Sequence, residues 1–160
     1  MKALVKALSD RGWTISTVES FTGGLFASQL TAIPGVSSIY RGSLVAYSED
    51  VKADWLDLDR QWLAQVGTVS AQCALAMASA GQRKFKTDVC VALTGNAGPS
   101  ALENQPVGQW YACIRIGEQV LTNSECSPLE RNALREAAVE TCSQLILEWI
   151  RNNPDPRIHL

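Results

Sequence analysis

Few residues in this chain are equipped for covalent chemistry, and their types narrow what chemistry is open. There is one histidine, His159, next to the last residue in a Pro-rich tail, so a Ser-His-Asp arrangement is not expected. A hydrolase built from these residues needs a serine activated by a lysine or a tyrosine, a variant in which a desolvated amine or phenol serves as base. One neighbourhood holds such a set. Ser37 and Ser38 follow Pro34-Gly35, Tyr47 ends the next β-rich run, and Lys52 follows five residues on. If a helix starts near Ser48, that is about one and a half turns from Tyr47 to Lys52. Each residue also has an ordinary reading as turn serine, half-buried tyrosine or solvated lysine, and spacing alone favours it.

Two glycine turns offer a place for a substrate. Glu19-Ser20-Phe21-Thr22-Gly23-Gly24 joins an apolar run to a helical pattern, so backbone N–H groups at the helix start, with the Ser20 and Thr22 hydroxyls, could receive a phosphate. The absent side chains of Gly23 and Gly24 would let it approach closely. The second turn, Thr94-Gly95-Asn96-Ala97-Gly98-Pro99, also closes an apolar run. If the two strands are parallel neighbours, both turns open on one sheet edge, where ligands of open α/β sheets bind. Neither turn matches G-x-G-x-x-G or G-x-x-x-x-G-K-[ST], which disfavours a dinucleotide or NTP site. No H-E-x-x-H or carboxylate cluster suggests a metal, and Asp54, Asp57 and Asp59 read as a solvated helix edge.

The elements that must position these residues follow from periodicity. Helical spacing is expected over Lys2 to Arg11 with Gly12 as its stop, over Leu25 to Ile33, in short pieces from Ser48 to Ala64 broken at Asp57 to Arg60, over Ser70 to Lys84 with Ser70 as N-cap and Leu75, Met77 and Ala78 facing the core, and from near Pro128 to about Asn152. Strands are expected over Trp13 to Val18, Ile39 to Tyr47, Asp88 to Leu93, Gln109 to Ile116 and Gln119 to Cys126, the last two joined by Gly117-Glu118 as a hairpin. The sum is a three-layer α/β/α domain with a mixed, mostly parallel sheet of about five strands. It forms one domain over residues 1–153 with a flexible tail over 154–160.

The 160 residues are 46% apolar and 19% charged, enough for a full core and too hydrophobic for disorder. A net charge of −2 provides no electrostatic footprint for direct nucleic-acid contact. No stretch reaches the roughly 20 apolar residues of a membrane span, and the N-terminus lacks a signal peptide's apolar core, so a cytoplasmic protein is expected. Five cysteines, Cys73, Cys90, Cys113, Cys126 and Cys142, show no C-x-x-C pair and read as buried free thiols. Five tryptophans fit either the core or a subunit interface, and a homo-oligomer is expected.

The motifs together say more than their spacing. Glu19-Ser20-Phe21-Thr22-Gly23-Gly24, Pro34-Gly35-Val36-Ser37-Ser38, Tyr47-Ser48 with Lys52, Gly67-Thr68-Val69-Ser70, Thr94-Gly95-Asn96-Ala97-Gly98-Pro99 and Pro106-Val107-Gly108 resemble, in order, the CinA C-terminal domain family, whose members with assigned activity are nicotinamide mononucleotide (NMN) deamidases. The resemblance runs from about residue 2 to residue 150. It implies hydrolysis of the NMN carboxamide to nicotinate mononucleotide and ammonia in pyridine nucleotide salvage, with no cofactor or metal and a small nucleotide as partner. It also implies Ser37 as nucleophile, Tyr47 and Lys52 as base or base-activator, and Thr94 and Arg131 in substrate binding, with Gly95 beside Thr94. Ser20, Thr22, Gly23 and Gly24 are placed at the phosphate or ribose by the helix N-terminus argument. Three stretches depart from the family pattern, one of them Leu129-Glu130 before Arg131 in place of Gly-Asp. Glu49-Asp50 adds carboxylates before Lys52, which would raise its pKa if they pair with it, and Ser100 to Gln105 replaces a glycine-rich stretch and a lysine. An alternative class is therefore a nucleotide-binding or protein-interaction domain without turnover, linked to competence and DNA damage.

Overall fold

The computed structural model describes residues 1–153. The expected tail over 154–160, and His159 within it, lie outside the described residues. In chain order the elements are α1 (Lys2–Arg11), β1 (Ile15–Glu19), α2 (Leu25–Thr31), a single 3-10 turn (Val36–Ser38), β2 (Tyr40–Val45), α3 (Glu49–Leu56), α4 (Arg60–Val66), α5 (Ala71–Phe85), β3 (Val89–Gly95), β4 (Gln109–Ile116), β5 (Gln119–Cys126) and α6 (Arg131–Asn152). The sheet order is β2-β1-β3-β4-β5. β1 pairs in parallel with β2 and β3, while β3–β4 and β4–β5 are antiparallel, so β4 alone runs against the other four strands.

Burial explains the three layers. β3 is buried on both faces, and its side chains divide by alternation: Val89, Val91 and Leu93 join Leu4, Leu8, Phe26, Leu30 and Ile146 under α1, α2 and α6. Cys90 and Ala92 join Ala53, Leu56, Leu63, Ala74 and Met77 under α3, α4 and α5. A strand covered on both faces needs apolar residues at consecutive positions, as this run has. The hairpin of β4 and β5 turns at Gly117-Glu118 as expected, with Gly117 at φ +55°.

Helix ends follow local chemistry. Gly12 takes the left-handed conformation after α1. Ser48, Asp59 and Ser70 accept backbone N–H bonds at the starts of α3, α4 and α5. The break between α3 and α4 is Asp57 in the left-handed region. One core expectation is corrected: Leu75 is exposed, because α5 turns Cys73, Ala74, Met77, Ala78 and Gly81 inward, and Leu75 falls outside that stripe. Cys73, Cys90, Cys113 and Cys142 are buried thiols, whereas Cys126 is exposed at the end of edge strand β5. Of the tryptophans, Trp110 is in the core, Trp55 is exposed, and the Trp13 and Trp149 rings meet at 5.9 Å.

Because β2, β1 and β3 are parallel neighbours, their C-terminal ends share one edge. Glu19 stands opposite Val45 on β2 and Leu93 on β3. The residues just beyond, Ser20, Ala46-Tyr47 and Gly95-Asn96, therefore meet at one place.

Candidate functional site

Lys52 lies in the second turn of α3 and is only 2% exposed. A lysine is seldom buried without partners, and here the helix directs its amine at the C-terminal sheet edge. Its Nζ lies 3.0 Å from Ser20 Oγ, and it donates to the carbonyl oxygens of Ala46 at 2.8 Å and Tyr47 at 3.4 Å. Burial holds the Lys52 pKa below the ordinary lysine value, opposed more weakly by Cys73, were its thiol ionised, and by the carboxylates of Glu103 and Glu49. Asp50 does not pair with Lys52; it binds Arg60, which also holds Asp54 at 2.6 Å. The expected pairing of the Glu49-Asp50 carboxylates with Lys52 thus reduces to a weak field from Glu49. Cys73 also lies near this amine, but burial pushes its thiol up to about 11, leaving it protonated at neutral pH.

Ser20, Phe21, Tyr47, Lys52, Thr68 and Arg131 line a cavity of about 150 Å³, together with residues 95–98 and Leu102. Tyr47 is 60% exposed and forms part of the wall, and its carbonyl accepts from the Lys52 amine. Arg131 opens α6 at the mouth, where its guanidinium donates to the carbonyl of Gly98. Gly95 is in the lining, but Thr94 is not. Its hydroxyl donates at 2.6 Å to the carbonyl of Thr68, so it fixes the position of a wall residue.

Two sequence expectations are corrected. Ser37 lies on the exposed 3-10 turn before β2, whereas the cavity opens after β2. A six-residue strand, roughly 20 Å long, separates those edges, and the serine beside Lys52 is Ser20. The glycine turn at Gly23-Gly24 is not open to a phosphate. The fully buried Glu19 carboxylate accepts the N–H groups of Gly24, Phe26 and Ala27 at 3.1, 3.0 and 2.9 Å. The N-terminus of α2 is filled by the chain's own anion. Thr22 is fully buried, outside the lining, with its carbonyl held by Arg135 at 2.7 Å.

Glu19, Thr68, Asn96 and Glu103 had no role in the sequence reading. Asn96 braces the second glycine turn, donating to the carbonyls of Ser100 and Gln105 and accepting the Gly98 N–H. Asn96 follows a buried strand directly, a position that could have marked it. Glu103 closes on Thr68 through a loop, which no local pattern reveals.

The fold has counterparts among solved structures. A CinA superfamily protein of Klebsiella pneumoniae superimposes with TM-score 0.91 at 26% identity, covering 95% of this chain and 96% of that one. A competence/damage inducible protein of Agrobacterium tumefaciens superimposes with TM-score 0.86 at 32% identity, covering 91% and 90%. In sequence, a protein of Lacticaseibacillus casei named as competence-damage inducible is 41% identical over 151 residues, 94% of this chain and 37% of that protein. One of Oceanobacillus iheyensis with the same name is 33% identical over 150 residues, 93% of this chain and 36% of that protein. The chain thus spans little more than a third of the length of the curated relatives it matches. The pattern described as CinA C-terminal domain matches residues 1–150, taking in every strand of the sheet and every residue of the cavity, and the chain belongs to that family.

Proposed function

We propose that the chain is an amidohydrolase that converts NMN to nicotinate mononucleotide and ammonia, with Ser20 as nucleophile and Lys52 as its base. The observation that carries this reading is the 3.0 Å contact between Ser20 Oγ and the buried Lys52 amine. In its neutral form the amine donates two protons, which the carbonyls of Ala46 and Tyr47 accept, and its lone pair takes the Ser20 hydroxyl proton. Ser20 Oγ then bonds to the carboxamide carbon. The N–H group of Phe21, next along the chain and in the cavity lining, makes no hydrogen bond among the described residues and is available to the oxyanion. The C–N bond breaks as Lys52 returns the proton to the leaving nitrogen, releasing ammonia. Water, deprotonated by the same amine, attacks the Ser20 ester, and the bond from its carbonyl carbon to Ser20 Oγ breaks as Lys52 returns the proton to Oγ, freeing the carboxylate product and restoring both residues. Arg131 at the mouth is a cation that draws the phosphate-bearing substrate towards the cavity, in place of the Gly23-Gly24 turn. Tyr47 walls the pocket, and the direct Ser20–Lys52 contact makes a proton relay through its phenol unnecessary.

The test is ammonia release from NMN, run beside nicotinamide, nicotinamide riboside and NAD. The reading predicts turnover of NMN that Ser20→Ala abolishes while the variant stays folded. Full activity in Ser20→Ala would overturn it. A binding domain without turnover has one observation in its favour: the cavity of about 150 Å³ is smaller than the roughly 300 Å³ at which small-molecule sites usually begin. Measurable NMN binding with no turnover of any of the four compounds would support that second reading.

A further inference from the structure

The segment that narrows the cavity carries its own explanation. Residues 100–105 cross beside the pocket, with Leu102 in its lining. Leu102 and Gln105 exchange backbone hydrogen bonds at 2.7 and 3.2 Å, making a minute hairpin whose two tip residues, Glu103 and Asn104, both have positive φ, +50° and +63°. Two successive non-glycine residues in that region cost energy, so the tip is held by what it touches. The Glu103 carboxylate accepts the N–H of Thr68 at 2.6 Å, the N–H of Val69 at 3.2 Å and the Thr68 hydroxyl at 2.6 Å. Gly67 makes the space: a Cβ there would lie 2.9 Å from the same carboxylate. Thr68 is itself a wall of the pocket, held from behind by Thr94.

We propose that Glu103 is a specificity-determining residue of this pocket: its carboxylate latches the hairpin shut by occupying the Thr68 and Val69 donors, and an anionic substrate opens the pocket by replacing it there. The proposal rests on the reading of Ser20 and Lys52 as the reactive pair and adds which substrates reach them. Closed, the pocket of about 150 Å³ falls below the roughly 300 Å³ at which small-molecule sites usually begin. A phosphate monoester can compete with a carboxylate for N–H and O–H donors, whereas an uncharged substituent cannot. The apparent affinity of any large substrate is then its intrinsic affinity multiplied by the open fraction.

Glu103→Gln keeps the size of the side chain and removes its charge; Glu103→Ala removes both. Amide hydrogen exchange over residues 99–106 and at Thr68 and Val69, measured without substrate, is expected to speed by about tenfold in both variants as local opening becomes easier. Calorimetric titration with NMN is expected to show about fivefold tighter binding in both variants than in the wild type, with nicotinamide riboside, which cannot displace the carboxylate itself, gaining at least as much. These two readouts do not depend on turnover, so failure of the deamidase reading leaves them standing. Unchanged exchange in both variants, or NMN binding no tighter than in the wild type, would overturn the latch.

Discussion

Ser20 and Lys52 face each other at 3.0 Å inside a wall that admits little water, so the state of one proton governs the chemistry. The amine must be neutral to act as base, and its neutral fraction grows as pH rises through a pKa that burial holds below 10.5. The predicted kcat/KM for NMN therefore climbs with pH along a single ionisation centred below 10.5. Lys52→Met is expected to lose at least about a thousandfold and the rising limb with it; a rising limb that survives in this variant would assign it elsewhere. The same shift acts on stability. Between the folded pKa and 10.5 the unfolded chain binds more protons than the folded one, so stability rises with pH in that window and levels off above 10.5. Urea midpoints across a pH series should show this rise in the wild type, and its persistence in Lys52→Met would contradict the account. Ser37, on the far edge, is expected to be replaceable by alanine with NMN turnover changed less than about twofold. Ser20 was legible in the sequence as a residue of the site, but its role was not. The clue lay in the element order: Ser20 and Tyr47 follow strands that end together, while Ser37 precedes one.

At the scale of elements, the site depends on how β1 passes into α2. The Glu19 carboxylate collects three N–H groups of that helix and the Thr17 hydroxyl at 3.0 Å, and this fixes the turn from which Ser20 projects. Glu19→Ala strands these buried donors and is expected to cost about 3 kcal/mol, read from the urea midpoint; a loss under about 1 kcal/mol would mean that water or another group replaces the carboxylate. The glycine turn in the sequence correctly announced a cluster of backbone donors. It could not announce that an acid four residues ahead of Gly23 already fills them, since Glu19 reads as a strand residue until its side chain is seen to curl back. Strand and helix periods were legible almost throughout, because both-face burial and capping residues are local signals; the parallel pairing of β1 with β3 stood only as a condition until the sheet was seen. The hairpin at Glu103 was not, because its partners Thr68 and Val69 are more than thirty residues away.

Across the whole molecule, the three layers bring sheet edge, α3 and α5 to one place, and close packing maintains that convergence. α5 lies against β1 and β3 at Gly81, where a Cβ would come within 2.4 Å of a Val18 methyl and 2.8 Å of the Cys90 sulfur. Gly81→Ala is expected to cost about 2 kcal/mol, its gain in helix propensity outweighed by overpacking, and a thermal melt showing the variant at or above wild-type stability would contradict this. With a net charge of −2, the molecule is close to neutral, and Arg131 places a guanidinium in the cavity lining. No helix among the described residues is long and apolar enough to cross a membrane. The central claim is that Ser20 is the nucleophile and Lys52 its base. The most direct measurement is mass-spectrometric mapping of the residue modified by a fluorophosphonate, a reagent that bonds covalently to activated serines, in the wild type and in Lys52→Met. The account predicts modification at Ser20, faster as pH rises, and none in Lys52→Met. Modification at Ser37, or undiminished labelling of Ser20 without Lys52, would contradict it.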